Sequence, residues 1–152
     1  HRGNCQAFFN NLTLIGDYQN GKIYKFDLET YADGSGPQKW LRSWRALPTG
    51  QNNLKRTAHH SLQLDCASGV GLNTGQGSDP QVMLRWSDDG GHTWSSEHWK
   101  SMGAIGEYGQ HVTWRRLGMT MKLRDRVYEV SGTDPVGITI VGAELIMSPT
   151  NA

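Results

Sequence analysis

Five residues of this 152-residue chain have types and spacing that point to a specific local chemistry. They are Ser87, Asp89, Gly91, Thr93 and Trp94, set in Ser-Asp-Asp-Gly-Gly-His-Thr-Trp at 87–94. They fit the Asp-box pattern Ser-x-Asp-x-Gly-x-Thr-Trp. In such a turn the Asp89 carboxylate can accept hydrogen bonds from turn N–H groups. Gly91 can take positive φ, and Trp94 can fold beneath the turn as a plug. The pattern reads as a hairpin staple first and a ligand site second.

A second group is cationic. Lys39, Arg42, Arg45, Lys55 and Arg56 fall in residues 34–64, which contain no acid. Arg115, Arg116, Lys122 and Arg124 fall in residues 108–124, again without an acid. Trp40, Trp44 and Trp114 are interleaved with them. Such a mixture can stack on bases and hold phosphates, or it can cover apolar neighbours and pair with acids of another subunit. Asp17, Asp27, Glu29 and Asp33 supply an acidic counterpart in the N-terminal third. Lys39, Arg42, Arg45, Lys55, Arg56, Arg115 and Arg116 are therefore the candidate subunit-interface or channel residues, with the interface favoured.

Other chemistries lack their residues. Asp-boxes resemble those of sialidases and other sugar-active propellers, but one box in 152 residues is not a whole propeller. The acids show no pairing of the kind a glycosidase needs across its cleft. His59 and His60 are adjacent and on a strand would point to opposite faces. His92, His98 and His111 lack partners at metal-ligand spacing and read as turn or surface histidines. Gly69-x-Gly71 and Gly75-x-Gly77 precede no helix, so they build no phosphate cradle. No catalytic residue, cofactor, metal or small-molecule substrate is expected.

The elements that must position these residues are strands. Asn20-Gly21 between β-prone runs signals a hairpin, because both residues tolerate positive φ. Residues 61–66, 81–86, 112–117, 126–131 and 137–147 read as further strands; in the first, Leu62 and Leu64 alternate with Gln63 and Asp65. Residues 32–39, 48–56 and 67–80 read as turn-rich loops. The last is long for a compact domain, so it is functional, disordered or ordered by a neighbour. Nineteen Gly and six Trp suit strands and tight turns, and no segment sustains a 3.6-residue period. A net charge of +1 excludes a globally basic nucleic-acid binder. No apolar run reaches the length of a membrane helix, so no membrane anchor is expected. Cys5 and Cys66 are far apart and read as free thiols. A chain opening on His1 reads as a processed or excised piece.

Three longer runs carry a family resemblance. They are Arg-Ala-Leu-Pro-Thr-Gly-Gln-Asn-Asn-Leu-Lys-Arg at 45–56, Gln-Val-Met-Leu-Arg-Trp-Ser-Asp-Asp-Gly-Gly-His-Thr-Trp-Ser at 81–95, and Arg-Asp-Arg-Val-Tyr-Glu-Val-Ser-Gly-Thr-Asp-Pro at 124–135. With Gly-Glu-Tyr-Gly at 106–109 and Arg-Leu-Gly at 116–118, they resemble the C-terminal part of packaged-DNA stabilisation proteins. These are the tail-hub, or nozzle, proteins of short-tailed phages. The resemblance spans essentially the whole chain and implies a C-terminal piece of a longer virion protein. It implies a homo-oligomeric ring, a hexamer in the full-length protein, below the portal. Such a ring retains packaged DNA and docks tail appendages, and it is made in the host bacterial cytoplasm and resides in the virion tail. It carries no catalytic residues, and Arg85, Trp86, Arg124, Asp125 and Arg126 become fold or interface elements. The alternative reading is a carbohydrate- or receptor-binding β module. The expected architecture is all-β: a propeller-type hairpin segment at 1–38, then a β-sandwich or jelly-roll-like domain at 39–152 containing the Asp-box.

Overall fold

The computed structural model describes residues 2–34, 36–46, 56–120 and 125–150. These are strands, turns and loops, with no helix among the described residues. The chain forms two compact units, His1–Gln38 and Lys39–Ala152.

The first unit is a meander of β1 (Gly3–Phe9), β2 (Leu12–Asp17) and β3 (Ile23–Phe26), followed by the short pair β4 (Ala32–Asp33) and β5 (Gly36–Pro37). A hairpin does form around Asn20-Gly21, but not by the expected means. Neither residue there has positive φ, whereas Asn10 and Asn11 do, at 47° and 60°. The tight two-residue turn is thus Asn10-Asn11, between β1 and β2. The β2–β3 connection is longer and is held by side chains. Asp17 Oδ1 accepts from the Gln19 N–H (2.7 Å), and Asn20 Oδ1 accepts from the Lys22 N–H (2.9 Å). Short polar side chains mimic backbone turns in this way.

Strand register sorts this sheet into two apolar faces. Ala7, Phe9, Leu12, Leu14 and Ile23 share one, and Phe8, Ile15, Tyr24 and Phe26 share the other. None of its described residues is buried; Phe8 and Phe9 are 72% and 70% exposed. A sheet apolar on both faces has the pattern of one covered on both sides.

The second unit is a β-sandwich of β6 (Trp40–Arg45), β7 (Thr57–Cys66), β8 (Gln81–Ser87), β9 (His98–Ser101), β10 (Val112–Met119), β11 (Val127–Gly132) and β12 (Ile140–Pro149). One sheet has the order β10-β7-β12 and the other β6-β11-β8-β9, with every neighbour antiparallel. Only β8 and β9 are consecutive neighbours, so the other connections cross between the sheets. Leu62, Leu64, Val82, Leu84, Val112, Trp114, Tyr128 and Val130 fill the space between. Along β7 the inward set begins at Thr57 and His59 and resumes at Leu62 and Leu64. A register shift on both neighbours, between Ser61 and His59, changes the phase. A bulge adds one residue and so flips the alternation.

The expected strands at 61–66, 81–86, 112–117, 126–131 and 137–147 correspond to β7, β8, β10, β11 and β12, with shifted ends. β6 and β9 had no clean alternation to reveal them. Trp40 and Trp44 pack against the core, and Trp114 lies within it. The Trp114 ring is therefore closed to a base, whereas Trp40 and Trp44 stay partly exposed. The long 67–80 loop is held by other parts of the same unit: Gly69 N–H donates to the Met102 carbonyl (3.3 Å), and Met102 N–H to the Pro80 carbonyl (2.8 Å).

Candidate functional site

The Ser87–Trp94 turn is built from side chain to backbone. Ser87 Oγ donates to Asp89 Oδ1 (2.6 Å) and accepts from the Gly91 N–H (2.8 Å). Asp89 Oδ1 also accepts from the His92 and Thr93 N–H groups (3.0 and 2.8 Å), while Oδ2 accepts from Thr93 Oγ1 (2.7 Å). These bonds, led by the Ser87 hydroxyl, hold the Asp89 carboxyl far below the usual carboxylate range. Gly90 and Gly91 have φ of 76° and 107°, conformations a Cβ would strain. Trp94 is half-buried, and the Arg85 guanidinium carbon sits 4.6 Å from its ring centroid. Arg85 in turn pairs with the buried Glu129 at 2.6 Å. With both Asp89 oxygens engaged inside the turn, the carboxylate is occupied by its own loop.

The turn is clamped to the chain entering β11. Gly90 N–H donates to the Asp125 carbonyl (3.2 Å), and Asp125 forms an ion pair with Arg45 at 2.9 Å. Beside it, Arg126 is 2% exposed, yet all three of its guanidinium nitrogens donate hydrogen bonds. Nε and Nη2 donate to the two Asp88 oxygens (2.6 and 2.8 Å); Nη1 donates to the Leu117 carbonyl (2.7 Å) and Nη2 to that of Met119 (2.9 Å). Burial disfavours its charge, but the Asp88 carboxylate and the Tyr128 hydroxyl together more than offset that. One side chain thus ties the Ser87–Trp94 turn, β11 and the bulged end of β10 together.

Next to Arg126, Tyr128 Oη lies 2.7 Å from His59 Nδ1, and His59 Nε2 lies 3.0 Å from Thr57 Oγ1. Burial, with the Arg126 charge second, lowers the His59 pKa to about 4, and burial raises the Tyr128 hydroxyl to about 12. His59 is consequently a core histidine, held between Tyr128 and Thr57. His60 faces outward, as adjacent strand positions require. The β-bulge that turns His59 inward has no simple signature in sequence.

The candidate cations divide between two edges of the sandwich. Lys39 precedes β6 and Arg42 lies on it, both exposed at one edge of the four-stranded sheet. Arg45 is taken up by Asp125, and Arg56 Nε donates to the Thr120 carbonyl (3.0 Å). Lys55, Lys122 and Arg124 lie outside the described residues. Arg115 and Arg116 are exposed on β10, whose edge lies against β9 at the opposite end from β6. There they line a cleft of about 770 Å³ with Lys100, His98, Trp99 and Glu97. Trp99, 55% exposed, is the large aromatic that sequence reasoning missed. Its neighbours in sequence show no alternation that separates it from the five other tryptophans. In the first unit, Asp27 pairs with Lys25 at 2.6 Å, and Asp17 accepts from Tyr24 Oη (3.2 Å). Two of the four acids offered as a counterpart are thus used locally.

Among the described residues no three His, Cys, Asp or Glu side chains gather as a metal site. With no helix among them, the described residues contain none long and apolar enough to cross a membrane. No curated protein matches the chain. Residues 39–148, the sandwich almost end to end, match the family model described as bacteriophage P22 Gp10, beta-sandwich. The chain therefore belongs to that family and is a structural protein of a short-tailed phage tail, a virion component.

Proposed function

We propose that the chain is the C-terminal part of a ring-forming tail hub that sits below the portal, retains packaged DNA and docks tail appendages. The observation that carries this reading is the family match over the sandwich. The first unit supports it: a three-stranded sheet, apolar on both faces and without a buried residue, gains stability only when covered. A propeller-like element completed by further sheets would cover it. A closed ring uses heterologous contacts, in which one patch meets a different patch of the next subunit. Exposed cations at two separate edges of the sandwich suit such contacts better than they suit one continuous DNA track. In this hub the Asp-box is a fold staple, and Lys39, Arg42, Arg115 and Arg116 serve subunit or partner contacts. The ring is a hexamer in the full-length protein.

The test is a size and mass measurement on the full-length protein with and without portal protein. A sixfold ring that binds portal is the expected result; a monomer indifferent to portal refutes the reading. The competing reading, a carbohydrate- or receptor-binding module, draws on the exposed Trp99 ring in the cleft. Specific binding on a glycan array would favour it.

A further inference from the structure

The cleft between β9 and β10 combines features that the fold does not require. Its floor is aromatic: the Trp86 and His98 rings stack with centroids 4.8 Å apart and planes at 13°. Trp114 Nε1 donates to the His98 carbonyl (2.9 Å), which closes that end to backbone pairing. The register shift between Arg115 and Gly118 breaks the regular ladder of β10. These devices discourage strand addition at either edge. Ligand recognition in the cleft therefore falls to side chains. Three of these, Lys100, Arg115 and Arg116, are permanent cations, and none forms an ion pair with a described residue.

Arg116 adds an independent observation. Its φ is +60°, a left-handed conformation that a long side chain adopts at a cost and that Gly or Asn adopts cheaply. The bulge alone would be better served by either. An Arg held there against local preference, at the lining of a cleft, is the kind of strain found at binding sites.

We propose that this cleft docks a carboxylate-rich segment of another virion protein. Arg115, Arg116 and Lys100 take the carboxylates, and the exposed Trp99 ring covers an apolar side chain beside them. The class of occupant rests on the tail-protein reading above; the charge and shape rest on the cleft itself. Arginine forks match carboxylates in two-point geometry. A nucleic-acid strand would need a continuous run of cations, but exposed Lys39 and Arg42 sit at the far edge of the sandwich.

The experiment measures fluorescence anisotropy of three labelled probes with the 152-residue chain at low salt. They are a short peptide rich in Asp and Glu with one Leu, its Asn and Gln counterpart, and oligothymidylate. The acidic peptide should bind and the amide peptide should not. Arg115→Ser and Lys100→Ser should each weaken binding about tenfold, equivalent to about 1.4 kcal/mol. Arg116→Asn should weaken it similarly while melting at the same or a higher temperature, a combination that a purely structural arginine does not produce. Preference for oligothymidylate, no binding of the acidic peptide, or unchanged affinity in Arg116→Asn would each overturn the proposal. Ring assembly with portal is measured separately, so the cleft can fail while the hub stands, and the reverse.

Discussion

Replacing Arg126 by Met tests whether the sandwich depends on one buried cation. Met keeps much of the length and apolar bulk but removes the charge and all five donors. Asp88 then loses both of its guanidinium bonds, and the Leu117 and Met119 carbonyls lose theirs. Breaking a buried pair by removing one partner costs about 3–5 kcal/mol. The Asp88 side chain is 19% exposed, so water reaches the orphaned carboxylate and the cost should fall near about 3 kcal/mol. For a unit of this size that lowers the melting temperature by roughly 10–20 °C. Urea denaturation followed by tryptophan fluorescence reads it directly. The double variant Arg126→Met with Asp88→Asn should recover part of the loss, with a coupling of about 1–3 kcal/mol. A loss under about 1 kcal/mol, or an Asp88→Asn effect independent of Arg126, would refute the argument.

Other expectations follow from the same packing. His59 has its folded pKa near 4, below the 6.5 of the unfolded chain, so the folded state resists its protonation. Its contribution is fully present above pH 6.5 and is lost as pH falls toward 4, worth a few kcal/mol in total. Urea midpoints measured across that window should fall with pH, and the slope should flatten in His59→Gln. Asp89→Ala removes the acceptor of four turn bonds and should lower the melting temperature, with Asp89→Asn lowering it less; a variant that melts like wild type but loses a sugar ligand would favour a binding module. A Cβ at Gly71 would lie 2.5 Å from the Ser78 carbonyl oxygen, so Gly71→Ala should cost about 1–3 kcal/mol in denaturant titration.

Sequence alone settled what local chemistry settles. Short β-prone runs and frequent turn residues determined the all-β class. The alternation of Leu62 and Leu64 with Gln63 and Asp65 identified the inward face of β7, because a strand has period two. The type and spacing of Ser87, Asp89, Gly91, Thr93 and Trp94 marked a turn whose bonds span at most a few residues, and the motif runs pointed to the phage-tail family. Tertiary structure decided whatever depends on partners far along the chain. His59 and Tyr128 meet across 69 positions, and Arg126 and Asp88 across 38; neither pair has a spacing that sequence can read. The same holds for Arg45, which looked free in an acid-free stretch until the fold brought Asp125 to it. It holds for the cleft as well: Trp99 and Lys100 lie on one sheet and Arg115 and Arg116 on the other. They share a surface only because two sheet edges close against each other, and no local pattern records which edges will meet.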